Sequence, residues 1–181
     1  MPAIARGQTA PPIELAATDG KKYSLQEALA RGPVLATFFK VSCPTCQYTL
    51  PFVERLYQQF RDQRVEVWGV SQDNAKESEG FAKEFGLSFP VLIDENDYAV
   101  STEYGLEYVP SYFLIAAGGK IEISGDGFSK RDFLAIQRLL AARLAAKPRR
   151  FSRQQRWSPN SNRAEGRRIR LRRSLPEAGE S

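Results

Sequence analysis

Two cysteines occur in the chain, Cys43 and Cys46, and both fall in the stretch "FFKVSCPTCQYTLPF" at residues 38–52. Thiols three residues apart support three chemistries: part of a metal clip, a pair of inert small core residues, or a redox couple that opens and closes. Histidine is absent. That removes imidazole-based nucleophilic dyads, haem held by histidine and mixed Cys/His zinc sites. Two thiolates also fall short of the four ligands that structural zinc prefers. Any proton transfer must use the thiols themselves, a carboxylate, a lysine, a tyrosine or water.

The compartment matters to this choice. The opening "MPAIARGQTAPPIEL" lacks the apolar core of a secretory signal. No apolar run approaches the roughly 20 residues of a membrane-spanning helix. A cytoplasmic protein with no integral membrane segment is therefore expected. In a reducing cytosol a permanent staple is not expected, which leaves a catalytic or metal-binding pair.

The elements that must position the sulfurs follow from periodicity. "PVLATFF" (33–39) reads as a buried strand. After Cys46 the period changes, and Leu50, Val53, Leu56, Tyr57 and Phe60 form one stripe of a helix. "VEVWGVS" (65–71) is strand-like, and Asp73 is placed to cap a helix carrying Phe81, Ala82 and Phe85 that Gly86 ends. "FPVLID" (89–94) is a further strand, and Tyr98–Tyr104 a short helix closed by Gly105. "SYFLIAAGGKIEIS" predicts two strands around Gly118-Gly119, followed by a helix over Lys130–Leu144 with Phe133, Ile136, Leu139, Leu140 and Leu144 inward. Upstream, "AATDGKKY" predicts a hairpin turning near Thr18–Lys21, and Ser24 with Glu27 a capping box. The order is β-α-β-α-β-α-β-β-α after a small hairpin, which predicts an α/β fold: a mixed sheet between helices.

This arrangement puts Cys43 at a strand-to-helix junction. Pro44 suits the first helical position, where its missing N–H costs nothing. The unpaired N–H groups and the helix dipole then favour the Cys43 thiolate, the nucleophilic form. Cys46, one turn on, lies within bonding reach.

A strand ending in a Cys-x-x-Cys helix start resembles the thioredoxin superfamily. Further matches stand in register: Pro51 where thioredoxins carry a helix proline, and "YVPSYFLI" like their cis-proline loop and following strand. The entry segment "GQTAPPIELAATDGKKYSLQEAL" and the insert "VSQDNAKESEGFAKEFGLSFPVLID" are similar to the redoxin branch, which holds AhpC/TSA relatives and TlpA/ResA-type oxidoreductases. The resemblance covers roughly Gly7 to Ala145. It implies a thioredoxin-like fold, helices on both faces of the sheet, over residues 1–146.

It also implies a mechanism needing neither metal nor organic cofactor. Cys43 attacks a disulfide of a protein or small molecule, Cys46 resolves the mixed disulfide, and a thiol electron donor restores the pair. Pro110, in a cis peptide, would lie against the sulfurs. Val109 before it would hold an extended substrate by main-chain hydrogen bonds, and Pro44 and Thr45 complete the expected substrate-contacting set. Two positions depart from the pattern. Thr37 stands where thioredoxins place a buried Asp, and Thr49 where TlpA/ResA-type proteins often place a Glu, so the resolving thiol has no evident base. Lys40 is expected to point to solvent, and Glu54 to be a solvated helix-surface carboxylate.

Two other readings compete. In a peroxiredoxin-like peroxidase, an antioxidant, Cys46 would take the peroxidatic place and Cys43 would stand where the peroxide-orienting Thr belongs. The other is a non-catalytic binding module with a basic tail. Net charge is +5, yet the segment from Lys147 to the end carries one Lys and ten Arg against three Glu. The basic balance therefore belongs to the tail, and residues 1–146 are mildly acidic. Residues 147–181, broken by Pro148, Pro159 and Pro176, are expected to be a disordered tail that could touch phosphates of nucleic acid or of an anionic membrane.

Overall fold

The structure, a computed structural model, describes residues 3–144. The Arg-rich tail and the domain boundary expected at 146/147 lie outside the described residues. An Asp-Gly turn folds β1 (Glu14–Ala16) onto β2 (Lys22–Ser24), antiparallel, and α1 (Leu25–Leu29) follows. Then come β3 (Val34–Phe39), α2 (Pro44–Phe60), β4 (Glu66–Ser71), α3 (Ala75–Phe85), β5 (Val91–Ile93) and α4 (Ala99–Glu103). The chain continues through β6 (Ser111–Ile115), β7 (Ile121–Asp126) and α5 (Lys130–Arg143).

The crossovers through α2 and α3 return the chain parallel to its start, so β3, β4 and β5 pair in parallel. The connection through α4 brings β6 in antiparallel to β3, and the Gly118-Gly119 turn then reverses direction so that β7 pairs antiparallel with β6. The sheet order is β5-β4-β3-β6-β7. β3 is central and buried along its whole length, because helices cover both faces and leave no solvated side for polar residues.

The two faces of β3 serve different layers. Val34, Ala36 and Phe38 join Trp68, Val70, Leu92, Phe113 and Ile115 against Ile13, Leu25, Ala28, Val100 and Tyr104. Leu35, Thr37 and Phe39 face the opposite way. There Phe39 meets Phe81 of α3 at 5.3 Å between ring centroids, and Tyr112 meets Phe133 of α5 at 5.0 Å. α2 lies against α5, where Gln137 Nε2 donates to Gln59 Oε1 at 2.7 Å, and just before α5 the Phe128 ring lies tilted 4.7 Å from that of Phe52. Fully buried side chains such as Leu50, Leu56 and Phe60 each contribute about 1.5–3 kcal/mol to holding α2 there.

The structure corrects several local expectations. The N-cap of α3 is Asn74: its Oδ1 accepts the Glu77 N–H at 2.9 Å, and its Nδ2 donates to the Glu77 carboxylate. Asp73 is engaged elsewhere. Ser24 is the N-cap of α1, but its side chain makes no cap hydrogen bond, so the capping box does not form. In α5, Leu139 is exposed while Gln137 and Ala141 are buried. The inward stripe runs through Phe133, Ile136, Gln137, Leu140 and Ala141, the spacing of a helical face, and Leu139 falls off that face. Tyr57 and Leu144 are only half-buried. Gly86 ends α3 as expected, at φ 64°, a conformation that would strain a side-chain-bearing residue.

Candidate active site

β3, the central strand, delivers the chain to a tight turn at its carboxyl end. The Cys43 N–H donates to the Lys40 carbonyl at 3.2 Å, closing the turn from Lys40 to Cys43. Cys43 is extended, at φ −83° and ψ 115°, and is the N-cap of α2, with Pro44 in the first turn. Its backbone carbonyl accepts the Gln47 N–H at 3.0 Å, and its sulfur accepts the Cys46 N–H at 3.4 Å. The sulfur therefore does what a Ser or Asp side chain does at other helix starts, and sits where unpaired donors converge.

Both thiols are free and lie close together, but they face different surroundings. Cys43 is half-exposed, and its Sγ donates to the Val109 carbonyl at 3.5 Å. Cys46 is completely buried. Burial pushes the Cys46 thiol well above its ordinary range, because a thiolate there would lose its water. A hydrogen bond from the Lys40 backbone opposes this, while Cys43 and the charge of Asp73 add to it.

The loop facing the sulfurs comes from the start of β6. Val109–Pro110 is cis. Pro110 is buried, and its carbonyl accepts the Gly127 N–H at 2.8 Å. Ser111 Oγ donates to the Tyr108 carbonyl at 2.7 Å, fixing the loop on its other side. Pro44 and Thr45 are exposed beside Cys43, and Tyr108 is the most open large apolar side chain among the described residues at 67%. The structure thus brings Cys43, Cys46 and Val109 together, with Pro44 and Thr45 on the open side. Pro51 lies inside α2, which continues past it to Phe60.

The positions that lack the expected acid, and the nearby charged groups, are placed as follows in the structure. Thr49 Oγ1 donates to the Thr45 carbonyl at 2.7 Å. Thr37 Oγ1 is buried without a hydrogen-bond partner. Lys40 does not simply point to solvent: its ammonium lies 5.0 Å from the Tyr98 ring centroid, where the face of the ring attracts a cation. Glu54 is not merely solvated either. Its carboxylate accepts from the Ser88 N–H, the Ser88 hydroxyl and Gln58 Nε2, tying α2 to the segment before β5.

Sequence reasoning missed one pair of residues at this site. The Val41 N–H donates to Asp73 Oδ2 at 2.7 Å, and the Val41 carbonyl accepts from Gln47 Nε2 at 3.0 Å. The turn before Cys43 is held from both sides. The available signal was topological: loops at the carboxyl ends of adjacent parallel strands meet, and Asp73 follows β4 as Val41 follows β3.

Residues 6–124 match the model of the AhpC/TSA family. The chain belongs to the AhpC/TSA family. Among curated members of similar sequence, the thiol-disulfide oxidoreductase ResA of Geobacillus thermodenitrificans is 34% identical over 121 residues, covering 66% of this chain and 68% of its own. ResA of Bacillus subtilis is 32% identical over 119 residues, covering 65% of each chain. The chain thus spans about two thirds of the length of these relatives. A putative protein disulfide isomerase from Bacteroides thetaiotaomicron superposes with a TM-score of 0.73 at 22% identity, covering 80% of this chain and 95% of its own. At that identity the superposition speaks to the thioredoxin-like fold, which it shares with this AhpC/TSA chain.

Proposed function

We propose that the protein is a thiol–disulfide oxidoreductase in which Cys43 attacks and Cys46 resolves. The observation that carries this reading is the asymmetry of the pair: one sulfur half-exposed at a helix tip, the other buried directly behind it.

The Cys43 thiolate attacks one sulfur of a substrate disulfide. That S–S bond breaks, and the leaving sulfur departs as a thiolate that takes up a proton. Cys46 then loses its proton and attacks Cys43 Sγ in the mixed disulfide, releasing the second substrate thiol. Two electrons pass to the substrate, and the Cys43–Cys46 bridge holds the oxidation until a donor dithiol reverses it. Once the Cys43 thiol proton is gone, the Val109 carbonyl loses its donor and is free to accept an N–H from an extended substrate backbone. Pro110 shapes the wall behind it, and the exposed Pro44 and Thr45 form the lip of the site.

The similarity to ResA supports this chemistry, since those relatives carry the same activity in their names. A peroxidase reading would make Cys46 the attacking sulfur, and its complete burial argues against that. In a reducing compartment such as the cytoplasm, the reading extends to a reductase fed by a thiol donor. The test uses the fully reduced chain and a disulfide-bonded protein such as insulin. Substrate thiols should appear as the Cys43–Cys46 bridge forms, far faster than hydrogen peroxide is consumed under the same conditions. Faster peroxide consumption, with insulin left intact, would overturn the assignment.

A further inference from the structure

The turn that carries Cys43 is gripped from the neighbouring strand. Two residues beyond β4, Asp73 is fixed by its own surroundings. Its N–H donates to Ser71 Oγ at 3.2 Å, and the Ser78 hydroxyl sits 2.8 Å from Ser71 Oγ and 3.3 Å from the Asp73 carbonyl. Gln72 beside it donates its N–H to the Phe39 carbonyl at 3.0 Å, locking the ends of β3 and β4 together. Ser71 and Ser78 are completely buried. This network has no role in capping α3, which Asn74 performs, and its outward product is the carboxylate set on the Val41 N–H.

We propose that Asp73 is a positioning residue of the redox centre: through Val41 it fixes the turn presenting Cys43, and its charge restrains closure by Cys46. The proposal rests on the thiol–disulfide reading above. Three observations support it. Val41 is bonded on both sides, by Asp73 and by Gln47 of α2, so loss of the carboxylate frees one half of the clamp. Among the described residues no ion pair includes Asp73, so no direct salt bridge neutralises its charge. Beyond its burial, the Cys46 thiol is raised by Cys43, at the N-cap of its helix, and by the charge of Asp73 beyond β4. The backbone of Lys40, just after β3, opposes them, and the Lys40 ammonium lies over Tyr98. A half-buried carboxylate is only partly screened by water, and a nearby negative charge disfavours a second one.

The experiment mixes the reduced full-length chain with glutathione disulfide, quenching with acid at successive times for mass measurement. Attack by Cys43 adds one glutathione and releases another as thiolate. Closure by Cys46 expels the added glutathione and leaves the internal bridge. Asp73→Asn keeps an oxygen for the Val41 N–H but removes the charge, so the ratio of closure rate to attack rate should rise about threefold at pH 7, its pH profile moving toward lower pH. Asp73→Ala loses both the charge and the clamp, and attack itself should slow by about threefold or more. An Asp73→Asn closure phase with the wild-type pH profile, or slower than wild type, overturns the proposal, as does an Asp73→Ala attack phase at the wild-type rate. A wild-type chain that never forms the glutathione adduct instead removes the thiol–disulfide reading on which the proposal rests.

Discussion

The Cys43 sulfur donates to the carbonyl oxygen of Val109 at 3.5 Å, across 66 residues of sequence. This contact joins the helix tip to the loop before β6. Cys46 lies on the other side of Cys43, within the core.

That geometry predicts selective alkylation. In the reduced protein at neutral pH, iodoacetamide should label Cys43 faster than Cys46 by roughly tenfold or more, since the buried thiol is neither accessible nor ionised. Peptide mass mapping at short times checks this. Equal labelling would mean that the two sulfurs are not differentiated by the fold.

Burial of Cys46 also makes stability depend on pH. Its folded-state value is raised above the ordinary 9.0, so between that value and the higher folded one the native state holds a proton that the unfolded chain has lost. Stability is fully present below about pH 9 and falls as pH rises beyond it, with a slope limited to about 1.4 kcal/mol per pH unit for one proton. Denaturant titrations of the reduced protein between pH 8 and about 10 should show this decline, and Cys46→Ser should flatten it. Tyr23, Tyr104 and Tyr112 are raised as well, but their ordinary value is 10.0, so they act at higher pH. A profile identical in both variants would contradict the burial argument.

Thr37 carries a hydroxyl that the core leaves without a partner. Thr37→Val removes that group while keeping the branched shape, and should stabilise the protein by about 1 kcal/mol. Thermal unfolding would register this as a rise of a few degrees. A lowered midpoint would show that the hydroxyl is satisfied in solution.

The division of labour between Asp73 and Asn74 separates stability from chemistry. Asn74→Ala deletes the cap of α3 and should cost about 1 kcal/mol in stability, with the rate of disulfide exchange left as in the wild type. Measuring unfolding and exchange on the same preparation distinguishes the two roles. A fall in exchange rate without loss of stability would mean that Asn74 belongs to the site.

How much of this was legible follows from the range of each interaction. The strands, the helices and the hairpins rest on local period and turn residues, and they stand within a few residues of where "PVLATFF", "VEVWGVS" and "SYFLIAAGGKIEIS" put them. The placement of Cys43 as N-cap and Pro44 in the first turn was equally local. Cap assignment at Asp73 failed because two adjacent Asx residues both suit a cap, and the choice was made by Val41 in the turn after β3. Lys40 over Tyr98 and Glu54 on Ser88 are likewise contacts between distant segments, which no window of sequence contains. In α5 the error was one of phase: Leu139 is apolar, but it lies off the stripe that Gln137 shares.

The division of roles between the two sulfurs is tested most directly by trapping. Reduced Cys46→Ser and Cys43→Ser variants are each mixed with a disulfide-bonded protein and resolved without reductant. The account predicts a stable covalent adduct through Cys43 in Cys46→Ser, released by added dithiol, and none through Cys46 in Cys43→Ser. Adducts forming only through Cys46, or through neither sulfur, would contradict it.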